Sequence, residues 1–257
     1  MNGRAAVARR AVFSAVMLKA DLHLHSIEDP YDVLEHDAFD LVDHAARRGY
    51  RVLALTLHGR VHLPTDLEAY AAERGILMIP GVELYLDRRE VLLLGASEEE
   101  ARALRTLEDL RALKRRRGEA LLTIAPHPYY GLGQCLGDRL DEFAEVMDAI
   151  ELCHFYTARW NPNRKAGEAA RRLAKPLIAC SDTHQLKWMG RHYSLLDASP
   201  TQESVFAAVR AGRIENVTRP LTRQEMADKL IWHLLTHAPL KLARRCGWLP
   251  LPKPPPR

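Results

Sequence analysis

The chain lacks long apolar runs and paired cysteines. A membrane-spanning helix needs about 18 to 20 consecutive apolar residues, and no uncharged apolar stretch of the 257-residue sequence approaches that length. The four cysteines, Cys135, Cys153, Cys180 and Cys246, are widely spaced and form no CxxC pair. This spacing indicates neither a disulfide framework nor a zinc ribbon. We therefore expect a cytoplasmic protein without a transmembrane segment.

Acidic residues are missing from the first 19 residues and scarce near the other end. Residues 1–19 carry four basic residues, and residues 210–257 carry ten basic and three acidic ones, which leaves the intervening body with a net charge of −7. The apolar run at 15–18 passes directly into the strand that carries His23. We therefore interpret residues 1–19 as a lead-in to the first strand rather than as a targeting peptide.

Between these two basic ends, short apolar runs alternate with segments of helical periodicity. A chain of this length with 47% hydrophobic residues fits a single α/β barrel domain. Alternating strands and helices predict parallel strands with crossover helices, and continuously apolar strands predict a sheet covered on both faces. The predicted strands are 15–25, 51–58, 75–84, 90–95, 119–127, 148–154 and 175–184. The predicted helices are 33–48, 66–74 capped by Thr65, 97–117 with a capping box of Ser97 and Glu100, 163–174 and 201–211.

Nearly every predicted strand ends in a residue that can bind a metal ion. Six of the twelve histidines lie at such ends, together with two or three carboxylates. Because the carboxyl ends of parallel barrel strands open on one face, these side chains are expected to converge. An unliganded cluster of this kind would carry a large desolvation cost, so the pattern predicts a polynuclear metal site. The residues are His23, His25, His58, Glu83, His127, Glu151 or His154, Asp182 and His184.

The motifs DLHLHS, LALTLH, GVEL, APHP, AIELCH and ACSDTH, in this order, resemble those of the polymerase and histidinol phosphatase (PHP) superfamily of metal-dependent phosphoesterases. The resemblance runs from about Ala20 to Arg213. It implies a distorted seven-stranded (β/α) barrel that holds two or three divalent ions, commonly zinc, manganese or iron. It implies hydrolysis of a phosphate ester by in-line attack of a metal-bridging hydroxide. The barrel is assigned to residues 20–213 and a basic helical extension with a proline-rich tail to 214–257.

Carried over motif by motif, the resemblance makes eight residues metal ligands, with Glu83 as a bridging carboxylate. His154 stands in the region of the family's seventh ligand, where Glu151 competes with it, and Asp182 and His184 close the site. His184 or His154 would also pass a proton to the leaving group. The ligands are His23, His25, His58, Glu83, His127, His154, Asp182 and His184.

Two positions depart from the family pattern. Asp29 or Asp32 would supply the acid after the first motif at altered spacing, and Leu57 stands where the second motif usually has an aspartate. These departures leave the third metal position in doubt. Arg60 and Arg159, in loops expected on the same face, are candidates for binding the substrate phosphate.

The substrate is expected to be a small phosphate ester or a nucleotide. Two other functions stay open: an amidohydrolase-like metal hydrolase, although no strand here ends in the bridging lysine of that class, and a non-catalytic, metal-stabilised binding module. In the extension, the apolar residues of a helix from about 223 to 238 predict packing over the barrel base or against a neighbouring chain. Its basic, amphipathic character also suits contact with an anionic surface or a protein partner. Pro239 is expected to end that helix, and residues 249–257 to be extended.

Overall fold

The structure, a computed structural model, describes residues 17–247, in which nine strands form one sheet. The strands are β1 Leu18–Leu24, β2 Val52–Leu55, β3 Leu77–Leu86, β4 Arg89–Leu94, β5 Leu122–Ala125, β6 Ala149–Leu152, β7 Leu177–Ala179, β8 Tyr193–Leu196 and β9 Ile214–Val217. The helices are α1 Ala38–Arg47, α2 Thr65–Glu73, α3 Glu98–Ala103, α4 Leu107–Arg117, α5 Asn163–Leu173, α6 Gln202–Arg210, α7 Arg223–Trp232 and α8 Ala238–Arg245. The predicted N-terminal lead-in and the proline-rich tail lie almost entirely outside the described residues.

The sheet curls into a nearly closed barrel, which confirms the predicted fold class, but it has nine strands rather than seven. The strand order is β7-β6-β5-β4-β3-β2-β1-β8-β9. Strands β1, β2 and β3 are parallel, as are β5, β6 and β7, whereas β4, β8 and β9 run antiparallel to their neighbours. The expectation of parallel strands was therefore wrong for β4, and β8 and β9 were not predicted as strands.

The reversal at β4 comes from a two-residue hairpin turn. Asp87 and Arg88 both have positive φ angles, 47° and 65°, which matches the tight turn that fits the twist of paired antiparallel strands. Strands β8 and β9 escaped prediction because they are short and only half buried, so neither forms a continuous apolar run.

Helix boundaries differ from the predicted ones mainly at capping residues. Helix α1 begins after Asp37, whose side chain accepts a hydrogen bond from the backbone N–H of Asp40, rather than at residue 33. Thr65 is the first residue of α2, with Pro64 before it. The capping box of Ser97 and Glu100 is confirmed. The predicted helix 97–117 is nevertheless two helices, because Thr106 caps a second start at α4.

The strand order leaves a gap between β7 at one end of the sheet and β8 and β9 at the other, and side chains of β8 and β9 bridge it. Asn216 in β9 accepts a hydrogen bond from the Ala179 N–H (2.7 Å) and donates one to the Leu177 carbonyl (2.9 Å). The Ser194 hydroxyl in β8 donates to the Ala179 carbonyl at 3.0 Å. At the other end of the gap, the His25 N–H donates to the Thr183 carbonyl at 3.3 Å. The edge of β7 is therefore satisfied without a regular strand partner.

Alternation along the strands divides the core into an inner and an outer part. Leu22, Ala54 and Ile124 belong to a buried cluster to which strands β1 to β8 all contribute. The alternate residues of the same strands, such as Leu53 in β2 and Leu93 in β4, belong to two other clusters that include residues of the helices. This packing holds the strands in place and so positions the polar side chains at their carboxyl ends.

The C-terminal extension crosses the carboxyl rim of the barrel, not its base. Helix α7 continues through a π-helical turn, His233–His237, into α8. The Ala238 N–H bonds to the His233 carbonyl, five residues back, and this shift in register accommodates Pro239 inside a helix that we expected it to end. Within residues 17–247 no helix is long and apolar enough to cross a membrane.

Candidate metal centre

Four buried donor atoms converge at the carboxyl ends of β1, β3 and β7. His23 and His25 are two residues apart, so their imidazoles lie on the same side of β1. His23 Nε2 is 3.3 Å from Glu83 Oε2 and 3.4 Å from Asp182 Oδ1, and His25 Nε2 is 3.4 Å and 3.3 Å from the same two atoms. These two imidazoles and two carboxylates form the central cage.

The central cage has the dimensions and the unsatisfied atoms of a cation site. Ligands about 2.0 to 2.1 Å from a tetrahedral metal ion are about 3.3 to 3.4 Å from one another, which is the spacing found here. His25 Nε2 and Asp182 Oδ1 are buried and have no hydrogen-bond partner among the described residues. A buried polar atom without a partner is costly, and a divalent cation would satisfy both. The donor set therefore fits a metal ion.

The electrostatics of the cage favour positive charge. Burial lowers the pKa of His25, but Asp182, Asp29 and Glu83 outweigh it and raise that pKa well above its usual value. Burial raises the pKa of Glu83, and the histidines His23 and His58 outweigh it, so the Glu83 pKa lies well below its usual range. A carboxylate that stays ionised while buried provides the charge that a divalent ion requires.

Three further histidines extend the central cage. His58 Nε2 is 3.3 Å from Glu83 Oε2, so that one oxygen lies close to three imidazoles. His127 Nε2 and His154 Nδ1 lie 3.7 Å and 3.5 Å from the other oxygen of Asp182, Oδ2. Glu83 and Asp182 can therefore each serve two neighbouring cation positions. This is the arrangement needed for a binuclear site.

Two other carboxylates lie behind the imidazoles. Asp29 Oδ2 is 3.2 Å from His25 Nδ1 and 2.9 Å from His58 Nδ1, and it accepts the His58 backbone N–H at 2.9 Å. Glu151 is 3.1 Å from His23 Nδ1 and accepts the His127 N–H at 3.1 Å. These contacts leave the Nε2 atoms of His23, His25 and His58 pointing into the cage. Of the two competing residues, His154 thus faces Asp182, whereas Glu151 supports His23.

The backbone is strained at two of the predicted ligands. His127 and Asp182 have positive φ angles of 26° and 46°. Such conformations are costly for residues other than glycine and concentrate at functional sites.

His184 lies at the edge of the cage and joins it to Asp32. Its Nδ1 is 3.4 Å from Asp182 Oδ1, and its Nε2 is 2.7 Å from Asp32 Oδ2. Asp32 also contacts His237, with Nε2 at 3.5 Å, and forms an ion pair with Lys241. Both of these partners come from the C-terminal extension. The structure thus brings together all eight predicted ligands and adds Asp29, Asp32 and Glu151 around them.

Sequence reasoning missed Glu90, Lys229, His237 and Lys241. Glu90 is the second residue of β4 and reaches the rim because that strand is antiparallel. It is buried, and burial together with Glu83 raises its pKa to about 7. The hairpin turn before it lacks the glycine that usually marks such a turn, so no sequence signal pointed to Glu90. The other three residues lie in an extension whose position over the rim nothing in the sequence indicates.

A cavity of about 370 Å³ opens onto the central cage. Its wall includes Tyr130, Phe155 and Trp188, and the extension contributes Lys229 and Lys241. Burial lowers the pKa of Lys229 to about 8, and no carboxylate within residues 17–247 forms an ion pair with it.

Neither predicted substrate-binding arginine lines this cavity. Arg60 and Arg159 are exposed, and Arg60 donates a hydrogen bond to the Glu28 carbonyl at 3.2 Å. The cations at the cavity are lysines of the extension instead.

The sequence of the chain is similar to one family model and to a protein from an archaeon. Residues 160–214 match a family model described as PHP-associated. An uncharacterized protein of Methanocaldococcus jannaschii is 27% identical over 155 residues, 54% of this chain and 83% of that protein.

Three solved structures share the fold. A two-domain protein from Bacteroides vulgatus, described as containing a predicted PHP-like metal-dependent phosphoesterase, has a TM-score of 0.61 at 18% identity over 87% of this chain and 73% of that one. PsfC from Pseudomonas syringae has a TM-score of 0.60 at 18% identity, over 91% of this chain and 100% of that one. A lesion-specific endonuclease from Pyrococcus furiosus has a TM-score of 0.55 at 15% identity, over 84% and 66%.

At these identities the solved structures establish the fold alone. The chain is therefore similar to PHP-like proteins in its fold and, over residues 160–214, in its PHP-associated segment.

Proposed function

We propose that the protein is a metal-dependent phosphoesterase that hydrolyses a small phosphate ester or a nucleotide. The observation that carries this proposal is the central cage: two imidazoles and two carboxylates, with edges of 3.3 to 3.4 Å, at the base of a cavity. His127 and His154, beside Asp182 Oδ2, would help to hold a second cation, and His58 adds an imidazole beside Glu83 Oε2. Divalent ions bound there would acidify a water molecule and neutralise charge on the phosphoryl oxygens.

The residues around the cage would hold the ester and manage its protons. Lys229, whose ammonium has no carboxylate partner among the described residues, faces the cavity and would bind a phosphoryl oxygen. His184 also lines the cavity, and its 2.7 Å hydrogen bond to Asp32 orients the ring. His184 would deliver a proton to the leaving oxygen, with His154 on the other side of Asp182 as the second candidate.

The size of the cavity supports a small substrate. About 370 Å³ is within the range of sites for small molecules, and the extension forms part of its wall. Tyr130, Phe155 and Trp188 could pack against an aromatic leaving group or a base. The endonuclease relative acts on nucleic acid lesions, whereas a duplex would have to displace the extension here. We therefore favour a phosphomonoester of nucleotide size or smaller.

Metal removal and reconstitution test the proposal. Protein stripped with a chelator is expected to release no phosphate from p-nitrophenyl phosphate or nucleotides, and added Zn²⁺, Mn²⁺ or Fe²⁺ to restore release in proportion to the metal content measured by elemental analysis. Glu83→Gln should abolish both metal content and activity. The matched control is Glu73→Gln, at a position that is 77% exposed on α2.

The alternatives give other results. Metal-loaded protein that is inert against a broad panel of phosphate esters would indicate a binding module. Hydrolysis of lactones or cyclic amides without phosphate release would indicate an amidohydrolase. Protein that binds no metal would refute the proposal.

A further inference from the structure

A second cluster of charged groups lies next to the central cage, and one of its members is a lysine. Asp32 is fully buried. One of its oxygens lies 2.7 Å from His184 Nε2 and 3.5 Å from His237 Nε2, and 3.9 Å from His58 Nδ1. Its other oxygen forms the ion pair with Lys241. Asp32, His184 and His237 alone have the composition of a third metal site.

Distances distinguish this cluster from the cage. In the central cage, nitrogen and oxygen atoms are 3.3 to 3.4 Å apart, as ligands of one tetrahedral ion would be. The 2.7 Å between His184 and Asp32 is instead the length of a direct charge-assisted hydrogen bond. The Asp32 carboxylate is therefore already occupied on one oxygen by an imidazole and on the other by an ammonium group.

One carboxylate ligand that the resembling motif would supply next to Asp32 is absent from this chain. Leu57, at the position of a carboxylate in the resembling motif, is fully buried among the apolar residues outside β2. The Asp29 carboxylate is hydrogen-bonded to the imidazoles of His25 and His58. Asp32 is the remaining carboxylate of the cluster, and its charge is balanced by Lys241.

Lys241 is suited to act as a permanent cation. Its side chain is about two-thirds buried, and although burial lowers its pKa, Asp32 raises that pKa above the usual value. The six carboxylates of Asp29, Asp32, Glu83, Glu90, Glu151 and Asp182 carry at most six negative charges. Two divalent ions with Lys229 and Lys241 supply six positive ones, so a third divalent ion beside both lysines would leave two excess positive charges in a buried site.

We propose that the ammonium group of Lys241 fills the position of a third metal ion, so that the protein works with two divalent ions and one lysine. The C-terminal extension is then part of the centre. It contributes a fixed charge where a trinuclear site would bind a cation from solution.

Metal stoichiometry of the full-length chain tests this inference, which rests on the proposed function only in requiring that the central cage binds metal. Apo-protein is titrated with Zn²⁺ and, separately, Mn²⁺, and bound metal is counted by elemental analysis after desalting and by calorimetry. We expect two ions per chain for the unaltered protein and three for Lys241→Met, which keeps the length of the side chain and removes its charge. The matched control is Lys229→Met, which alters the other cavity lysine and should leave the count at two.

A second variant keeps the test decisive if Lys241→Met does not fold, as judged by circular dichroism. Asp32→Asn should still bind two ions, because Asp32 pairs with the lysine rather than with metal. Three ions in the unaltered protein, a count of two in folded Lys241→Met, or a loss of one ion on Asp32→Asn would each overturn the inference. Zero ions in the unaltered protein would instead refute the proposed function, so the two failures are distinguishable.

Discussion

Each imidazole of the central cage is held from behind by a carboxylate. Asp29 contacts the Nδ1 atoms of both His25 and His58, and Glu151 contacts Nδ1 of His23. A hydrogen bond at Nδ1 fixes the tautomer and aims Nε2 at the metal position. We therefore expect the two carboxylates to contribute to metal affinity although neither points into the cage.

Asp29→Asn tests this support. The amide keeps the shape of the side chain but loses the charge and one acceptor, so His25 and His58 would be less well oriented. We expect metal affinity to fall about 10- to 100-fold, the usual effect of losing such a partner. Competition against a fluorescent chelator measures the change. Asp43→Asn, which alters a carboxylate paired with Arg74 on the outer surface, should bind metal normally, and an unchanged affinity in Asp29→Asn would show that the support is dispensable.

Lys229 and Arg60 are alternative candidates for binding the substrate phosphate, and the structure favours Lys229. Lys229 lines the cavity without an ion-pair partner among residues 17–247, whereas Arg60 is exposed outside it. A charge-assisted hydrogen bond contributes about 1.5 to 3 kcal/mol. We therefore expect Lys229→Met to lower kcat/KM for p-nitrophenyl phosphate by about 10- to 100-fold, chiefly through KM.

Arg60→Met is the comparison variant and should leave the kinetics unchanged. The reverse outcome, with a raised KM in Arg60→Met and normal kinetics in Lys229→Met, would return the phosphate to the arginine predicted from the sequence.

The carboxyl ends of the strands could be predicted from the sequence, because nearly every apolar run is followed directly by a residue that can bind a metal ion. The runs before His23, His58, His127 and Asp182 are buried strands, and their carboxyl ends do meet at one rim. Chain reversals were less predictable. The turn at Asp87 and Arg88 lacks the glycine that usually marks a two-residue hairpin, so the reversal that makes β4 antiparallel and brings Glu90 to the rim could not be predicted.

Long-range contacts were beyond sequence reasoning for a different reason. The pairing of Asp32 with Lys241 joins residues some two hundred positions apart, and neither belongs to a recognisable motif. The basic residues of the extension suited contact with an anionic surface or a protein partner, since a charge pattern alone does not show which side packs inward. Asp32, the ion-pair partner of Lys241, lies in a loop whose spacing departs from the family pattern.

Closure of the barrel depends on Asn216. Its side chain bonds to the backbone of Leu177 and Ala179 where β7 has no regular partner. Asn216→Ala would leave the Leu177 carbonyl unpaired, whereas the Ala179 N–H keeps the Ser194 hydroxyl at 3.0 Å, and a buried unpaired group costs about 1 to 3 kcal/mol. We expect the free energy of unfolding, from urea denaturation, to fall by that amount. Glu215→Ala, at the exposed neighbouring position, should change it by less than about 0.5 kcal/mol, and equal effects of the two variants would contradict the role of Asn216 in closure.

At the scale of the whole molecule, the extension and the barrel form a single site. Trp232 stacks on His237 with ring centroids 4.8 Å apart, and His237 contacts Asp32, so α7 and the π-helical turn are tied to the rim. On their outer side, Ile231, Leu234 and Leu235 are exposed. Association with an anionic surface or a protein partner through that side stays a prediction. The inner side of the extension, in contrast, contacts Asp32 through His237 and Lys241.

Truncation after Pro220 tests whether the extension is needed for catalysis. The last strand ends at Val217, so the shortened chain retains all nine strands and the central cage but loses Lys229, His237 and Lys241. We expect it to fold, to hydrolyse p-nitrophenyl phosphate with kcat/KM lowered at least as much as in Lys229→Met, and to discriminate less against the bulkier naphthyl phosphate because part of the cavity wall is gone. Truncation after Gly247 is the control and should keep full activity. If the shorter chain were folded and fully active with the same preference for the smaller ester, the extension would be an accessory surface, as its amphipathic sequence alone suggests, and the barrel would be the complete enzyme.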